Sequence, residues 1–445
     1  MKKAVLDFIE RAFKLKSRST TVSTELLAGF TTFAAMSYIM AVNPAILGLA
    51  GMDKPTIVTV TALAAAFGCF VMALLTNLPI ALAPAMGTNT YFAIIVCVGM
   101  GLDWRQALAA TFYNGIFFLI ISVSGLREKI VRGVPRPLQI GLQCGIGLFI
   151  AFFGLQSAKI IVRDENTLVT AGQLASPEAA FALAGLALMA VLLCRKFAAS
   201  IICTIIIMTI VGFAVKGSDG ESISQIPNSV FAIPHGISET FLQLDWGFPF
   251  RDFSKAMPVI IVLLMLDMFD TIATVIAMGR ASGLMDSKGR MPKLGLALTA
   301  DAIATIGGAL LGTSTTGSYV ESAAGIKSGG RTGLTAITVG TLFLLALFFS
   351  PLVAIIPPEA TAPALIMVGI MMMQGMRELD FDDMTETIPA IFSMLMIALS
   401  FKIAEGFAFG IVAYVLTLLA SGRSREIKVS TWVLFAAMCA FLAAS

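Results

Sequence analysis

Two aspartates three residues apart, Asp267 and Asp270, sit inside VIIVLLMLDMFDTIATVIAM at 259–278, an apolar run long enough to cross a bilayer. One Asp at the centre of a membrane helix costs roughly 2.5–3.5 kcal/mol to insert, so a pair needs a function or a partner. On a helix this spacing puts both within an arc about 60° wide. A third acid, Glu321, comes just after a stretch that helices dislike, LGTSTTGS at 311–318. A similar stretch, ALAPAMGTNT at 81–90, holds Asn89, an amide donor and acceptor. Thr313, Ser314, Thr315 and Thr316 line the later one. For Thr313 and Thr316 the simpler role is to bond carbonyls that the broken helix frees. Asp301 and Glu405 stand near helix ends and read more simply as acids that cap or pair there.

Carboxylates and an amide, with no Lys, Arg or His beside them, make a poor anion site. They suit a cation, or a neutral planar ligand rich in N–H donors. The single histidine, His235, lies in a loop. Imidazole relay inside the membrane is therefore excluded, and a coupled proton must ride on a carboxyl group. Burial and a neighbouring like charge both favour the neutral form of an acid, which makes such exchange accessible. Enzyme readings find no footing: HExxH, GxSxG, GxxxxGK[ST] and a complete GxGxxG are missing, and GGRTG at 329–333 lacks the phosphate-binding Lys. The six cysteines fall in apolar runs without a CxxC, so neither a disulfide nor a metal site is expected.

The elements that must position these residues are membrane helices. Hydrophobic residues make up 58% of the 445, charged residues 13%, and the mean hydropathy is +0.91. A soluble domain carries about 25% charged residues; this chain is a polytopic membrane protein. A net charge of +3, dispersed over loops, gives no footprint for nucleic acid. Residues 1–22 read as an amphipathic surface segment, with a basic tail as the alternative, and no cleavable signal peptide is expected. Fourteen spans are expected, near 23–42, 57–76, 79–99, 105–124, 137–158, 177–194, 197–215, 256–279, 294–312, 313–326, 332–356, 360–376, 386–401 and 404–421. With the N-terminus in the cytoplasm, 22 of the 30 Lys and Arg fall on that side and 8 on the other, as the positive-inside rule requires. The tail 422–445 includes an apolar stretch at 430–444 that is short for a span.

The one long polar stretch, 217–253, separates a first half at 23–216 from a second at 254–421. Seven spans in each half make the second enter from the opposite face, which points to an inverted repeat. The breaks in spans 3 and 10 fall at matching places in the two halves. Unwound backbone is tolerated at membrane depth only where protein or a cavity satisfies it, so matched breaks mark a midplane binding site.

Several stretches together resemble the nucleobase–cation symporter 2 superfamily, in its hypoxanthine/adenine/guanine permease branch. They are Asp267-Met-Phe-Asp-Thr in span 8, Gly312-Thr-Ser and Tyr319-Val-Glu-Ser-Ala-Ala-Gly325 in span 10, and Gly329-Gly-Arg-Thr-Gly-Leu-Thr-Ala336. Ala83-Pro-Ala-Met-Gly-Thr-Asn89 and Leu26-Leu-Ala-Gly-Phe-Thr-Thr-Phe33 fit as well. The resemblance covers all fourteen spans. It implies an all-α protein with a 7+7 inverted repeat and short strands in spans 3 and 10. A core domain (spans 1–4 and 8–11) would face a gate domain (spans 5–7 and 12–14), with the substrate between them. It further implies a purine importer working by proton symport and an elevator-like movement, without a cofactor. A homodimer in the bacterial inner membrane is implied too. Asp267 and Glu321 would be the main purine-binding acids. Asn89, Thr88, Thr315 and Ser318 would complete the substrate set, and the proton would involve Asp270, Glu321 or Asp267. The chain departs from the branch at Gly87-Thr-Asn-Thr90, Asp270-Thr-Ile-Ala-Thr-Val275 and Thr316-Gly317. These flank the site and bear on which purine is carried; adenine is favoured, with hypoxanthine and guanine next. An anion transporter or channel of the same fold is the alternative.

Overall fold

The computed structural model describes residues 9–124, 135–165, 167–218, 220–226, 229–285, 291, 293–400 and 403–444. Residues 1–8 of the expected surface segment lie outside these, as do Arg127, Lys129, Arg132, Lys288, Arg290 and Lys402 of the charge count.

Local chemistry sets most helix ends. Thr21 accepts the Thr24 N–H at 3.2 Å and opens α1, Val22–Met36. A turn then leads into α2, Ile39–Leu47, which carries Asn43-Pro44 within it. Asp53 accepts both the N–H and the hydroxyl of Thr56, at 2.9 and 2.7 Å, and opens α3, Lys54–Thr76. Asn77 ends α3 in the left-handed region, φ 55°, a conformation that asparagine tolerates. Pro84 lies in the non-helical stretch that keeps the next span from forming one continuous helix. The chain runs as strand β1, Leu82–Pro84, then as a short α4, Met86–Thr90, continued by a π-helix at Tyr91–Gly99. The next elements are α5, Trp104–Ser124, and α6, Arg136–Ser157. A hairpin of β2, Ile161–Asp164, and β3, Leu168–Ala171, precedes α7, Pro177–Cys194, and α8, Ser200–Gly212.

In the second half α9, Phe253–Ala281, is the longest helix and carries both aspartates. After α10, Leu294–Leu311, the chain turns at Gly312, φ 106°, where an L side chain would be strained. Strand β4, Thr316–Ser318, leads to the six-residue α11, Ser322–Lys327. The later long helices are α12, Gly333–Ala346; α13, Pro358–Met372; α14, Met384–Ser400; α15, Ile403–Ala420; and α16, Val429–Ala444, which takes up the apolar tail.

Among the described residues, nine helical stretches are long and apolar enough to cross a membrane. Four shorter apolar ones lie at Met86–Gly99, Ser200–Gly212, Met384–Ser400 and Glu405–Ala420. The protein is thus a mostly helical, multi-pass membrane protein. The hairpin at 161–171 is not legible in the sequence, because its short strands sit in what reads as a polar connection between spans.

The chain forms two compact units, interleaved in sequence. One comprises residues 1–124 and 187–361, the other 125–186 and 362–445. In the first, α3 packs on α10 and α12, α12 on α1, and α5 on α9 and α10. Its core includes Met72, Leu78, Ile80, Leu82, Val275 and Ala304. The polar stretch after α8 is fastened to this unit: Leu242 N–H and the Thr240 hydroxyl bond the carbonyls of Leu310 and Leu311, both at 2.9 Å. They satisfy acceptors that the end of α10 leaves open. In the second unit α14 packs on α6 and α15, around Ile140, Cys144, Ala390 and Met394.

Candidate functional site

The two broken stretches meet. β1 and β4 pair antiparallel, with Leu82 opposite Ser318, Ala83 opposite Gly317 and Pro84 opposite Thr316. Ala85 N–H extends the ladder to the Thr315 carbonyl at 2.9 Å, and Tyr319 N–H bonds the Ala81 carbonyl at 3.0 Å. Each break therefore satisfies the backbone of the other, the condition for non-helical chain at membrane depth. The Tyr319 hydroxyl adds a bond to the Pro84 carbonyl at 2.6 Å.

The acids ring this strand pair, all within the first unit. Asp267 on α9 is 2% exposed. Its Oδ2 accepts from Asn114 Nδ2 of α5 at 3.3 Å and from the Thr305 hydroxyl of α10 at 3.1 Å. Asp301 on α10 is fully buried and accepts from the hydroxyls of Thr271 at 2.8 Å and Ser318 at 3.1 Å. It ties α9 to β4 one residue beyond Asp270. Glu321 opens α11, is half-buried, and accepts from the Tyr38 hydroxyl at 2.7 Å. Asp270 is exposed and has no hydrogen-bond or ion-pair partner among the described residues. No Lys, Arg or His among the described residues pairs with any of these four. Among the described residues no cluster of three His, Cys, Asp or Glu is placed to hold a metal.

The aspartate pair differs from expectation. Asp267, expected as the ligand, is buried and doubly bonded, while Asp270, expected as its brace or proton carrier, is the open one. An arc of about 60° is wide enough to straddle the edge of the buried face of α9, so neighbouring acids on one helix end up in different surroundings.

The uncharged candidates hold the strands. The Asn89 amide donates to Asn43 Oδ1 at 2.6 Å and accepts from the Ser314 hydroxyl. Asn43 in turn donates to Thr61 at 2.7 Å and Thr313 at 3.3 Å. Thr315 donates to the Thr88 hydroxyl, which donates to the Ala85 carbonyl at 3.0 Å. Thr88, Asn89, Thr315 and Ser318 are all buried; the first three link α4 to the stretch before β4, and Ser318 bonds Asp301. Sequence reasoning missed Tyr38, Asn43, Asn114 and Thr305. The signal was present: Asn43 in MAVNPAIL and Asn114 in TFYNGIF are uncharged polar residues within apolar runs, and attention to charge alone passes over them.

Comparison with known proteins places the chain in a family and a fold. A family model described as a permease family matches residues 23–413. The chain is 38% identical to the adenine permease AdeP of Escherichia coli, over 94% of this chain and 92% of that one. It is 35% identical to the guanine/hypoxanthine permease PbuG of Bacillus subtilis, over 95% and 97%. Its fold is similar to the transmembrane domain of the cyanobacterial bicarbonate transporter BicA, with a TM-score of 0.62 at 16% identity, covering 90% of this chain and 97% of that one.

Proposed function

The chain belongs to the nucleobase–cation symporter 2 permeases, and from that premise we propose that it imports purine nucleobases by proton symport. The observation that carries the reading is a set of carboxyl groups around a paired strand break, with no basic residue bonded to them among the described residues. Such a set accepts hydrogen bonds from purine N–H edges and repels anions. In this reading Asp270, exposed and without a partner among the described residues, and Glu321, half-buried, are the acids that meet the ligand. Asp267, buried and bonded to Asn114 and Thr305, is assigned to the proton. Asn89, Thr88, Thr315 and Ser318 serve by holding the two strands in register. Adenine is the favoured cargo, because the Ala83-Pro-Ala-Met-Gly87 run of span 3 resembles adenine permeases.

The proposal includes fourteen spans in two inverted halves and an elevator-like movement of the core domain relative to the gate. The nine long helices, the four shorter ones and the strand-plus-helix segment at 316–327 support that span count. It also includes a homodimer in the bacterial inner membrane with a cytoplasmic N-terminus, which the bias of Lys and Arg supports. The test is uptake of labelled adenine, hypoxanthine and guanine in cells lacking their own purine permeases. Glu321→Gln should abolish uptake at unchanged surface abundance, and an uncoupler should collapse uptake by the parent. Normal accumulation by the Glu321→Gln protein would sink the assignment, and uptake indifferent to the uncoupler would sink the symport.

A further inference from the structure

Asp267 has partners that can serve two protonation states. Asn114 is fully buried and gives its Nδ2 to the carboxylate, yet its own Oδ1 is buried with no hydrogen-bond partner among the described residues. Buried polar atoms are nearly always paired, and an exception needs a reason. Thr305 shows a similar duality. Its single hydroxyl proton has two acceptors within reach, Asp267 Oδ2 at 3.1 Å and the Thr316 carbonyl at 3.2 Å. The other buried acid lacks this feature: among the described residues, the hydroxyls of Thr271 and Ser318 donate to Asp301 with no second acceptor.

We propose that Asn114 and Thr305 are the positioning residues that let Asp267 gain and lose the coupled proton, Asn114 by turning its amide over and Thr305 by swinging its hydroxyl. The inference rests on the symport reading above. On loading, a proton from bulk water adds to Asp267 Oδ2 and forms an O–H bond. The Asn114 N–H···O bond breaks, and the new O–H donates to Asn114 Oδ1, now rotated to face it. The Thr305 hydroxyl turns to the Thr316 carbonyl. Release reverses each step and returns the proton to water. The carboxylate state leaves the amide oxygen unpaired, and the acid state leaves the amide nitrogen unpaired, so neither state is locked by a fully satisfied network.

The titratable groups around Asp267 are few. Asp270 on the same helix acts on it by its charge; Asp267 in turn acts on Asp301 of α10, and Asp270 acts on Glu321 and Tyr319. Of the other elements packed against α9, strand β4 and α4 carry no ionisable residue, and α11 carries Lys327 at its last position. On α5, Arg105 sits at the end opposite Ser124, 3.6 Å from Asp103, and Tyr113 bonds the Trp246 carbonyl. The short helix Phe248–Arg251 contributes Arg251, which pairs with Asp245. Among the described residues no base bonds Asp267 to compete for the proton.

The experiment compares the full chain with Asn114→Leu, Asn114→Ser, Thr305→Val and Asp267→Asn in lipid vesicles. It records infrared difference spectra between acidic and alkaline buffer, and the pH profile of adenine uptake. The parent should show a carboxylic C=O band on acidification that Asp267→Asn lacks. Asn114→Leu should move that band to higher frequency, because the acid O–H loses its acceptor. It should also raise the pH midpoint of uptake by about one unit, since a donor lost to the charged form outweighs an acceptor lost to the neutral one. Asn114→Ser, whose hydroxyl can donate or accept, should return both readouts toward the parent. Should Asn114→Leu fail to fold, Thr305→Val carries the test on the midpoint, which should rise because the carboxylate loses a donor while the acid band stays in place. An unmoved band and an unmoved midpoint in these variants would overturn the proposal. A parent that takes up no purine would instead remove the symport reading, while the band shift in Asn114→Leu would still decide whether the amide turns over.

Discussion

Tyr38 reaches Glu321 across 283 positions of sequence and is itself 1% exposed. A hydroxyl in that setting has one evident task, to hold the carboxylate at the start of α11. Bonds to charged groups contribute about 1.5–3 kcal/mol, so Tyr38→Phe should lower the efficiency of adenine uptake by roughly ten- to a hundredfold. Transport at limiting adenine, normalised to surface abundance, checks this, and an unchanged rate would mean that Glu321 needs no orientation. The same residue shows what sequence reading reaches. Glu321 was legible because a charge within an apolar run is costly and therefore conspicuous. Tyr38 was not, since a tyrosine in an apolar run is ordinary and nothing in its neighbourhood names a partner 283 positions away. The split between Asp267 and Asp270 was hidden for a related reason: spacing fixes the angle between two side chains, whereas burial depends on what the rest of the chain lays against each.

Helix ends carry a different kind of prediction, because their chemistry is local. Burial pushes the Asp53 carboxyl up, but the two hydrogen bonds from Thr56 and the nearby His235 ring outweigh it and leave the group below its ordinary value. A depressed folded-state value means that this stabilisation is present above the unfolded value, about 4, and is lost as pH falls through the lower folded one. Asp53→Ala should therefore cost about 1 kcal/mol near neutral pH, as lost caps do. The difference should shrink toward zero in acid. Melting temperatures of the two proteins in detergent across pH would show it, and a gap that widened in acid would contradict the cap. The breaks around Pro84 and Gly312 were legible in the sequence, and the caps at Thr21 and Asp53, which act just as locally, were passed over. The approach of α11 to α1 could not. A Cβ on Gly325 would collide with Thr32 Oγ1 and the Ala28 carbonyl oxygen, a packing demand that only the assembled helices reveal.

At the scale of the whole molecule, fold and cargo give different signals. The backbone is similar to that of a bicarbonate transporter domain, while sequence identity is far higher to purine permeases. Fold does not imply function, so the site must decide. A bicarbonate ion brings a negative charge, and around the paired strands it would meet Asp270 and Glu321, with no cation among the described residues bonded to either. Two like charges about 4 Å apart repel by roughly 4 kcal/mol at an effective dielectric of about 20, enough to exclude an anion by about three orders of magnitude. A neutral purine pays no such penalty and offers N–H donors that these oxygens lack. Excess bicarbonate should accordingly leave labelled adenine uptake unchanged, while unlabelled adenine, then hypoxanthine and guanine, should depress it in that order. Competition by bicarbonate with indifference to all three purines would transfer the chain from the purine reading to the anion one, and would require a cation at the strand break that the described residues do not supply.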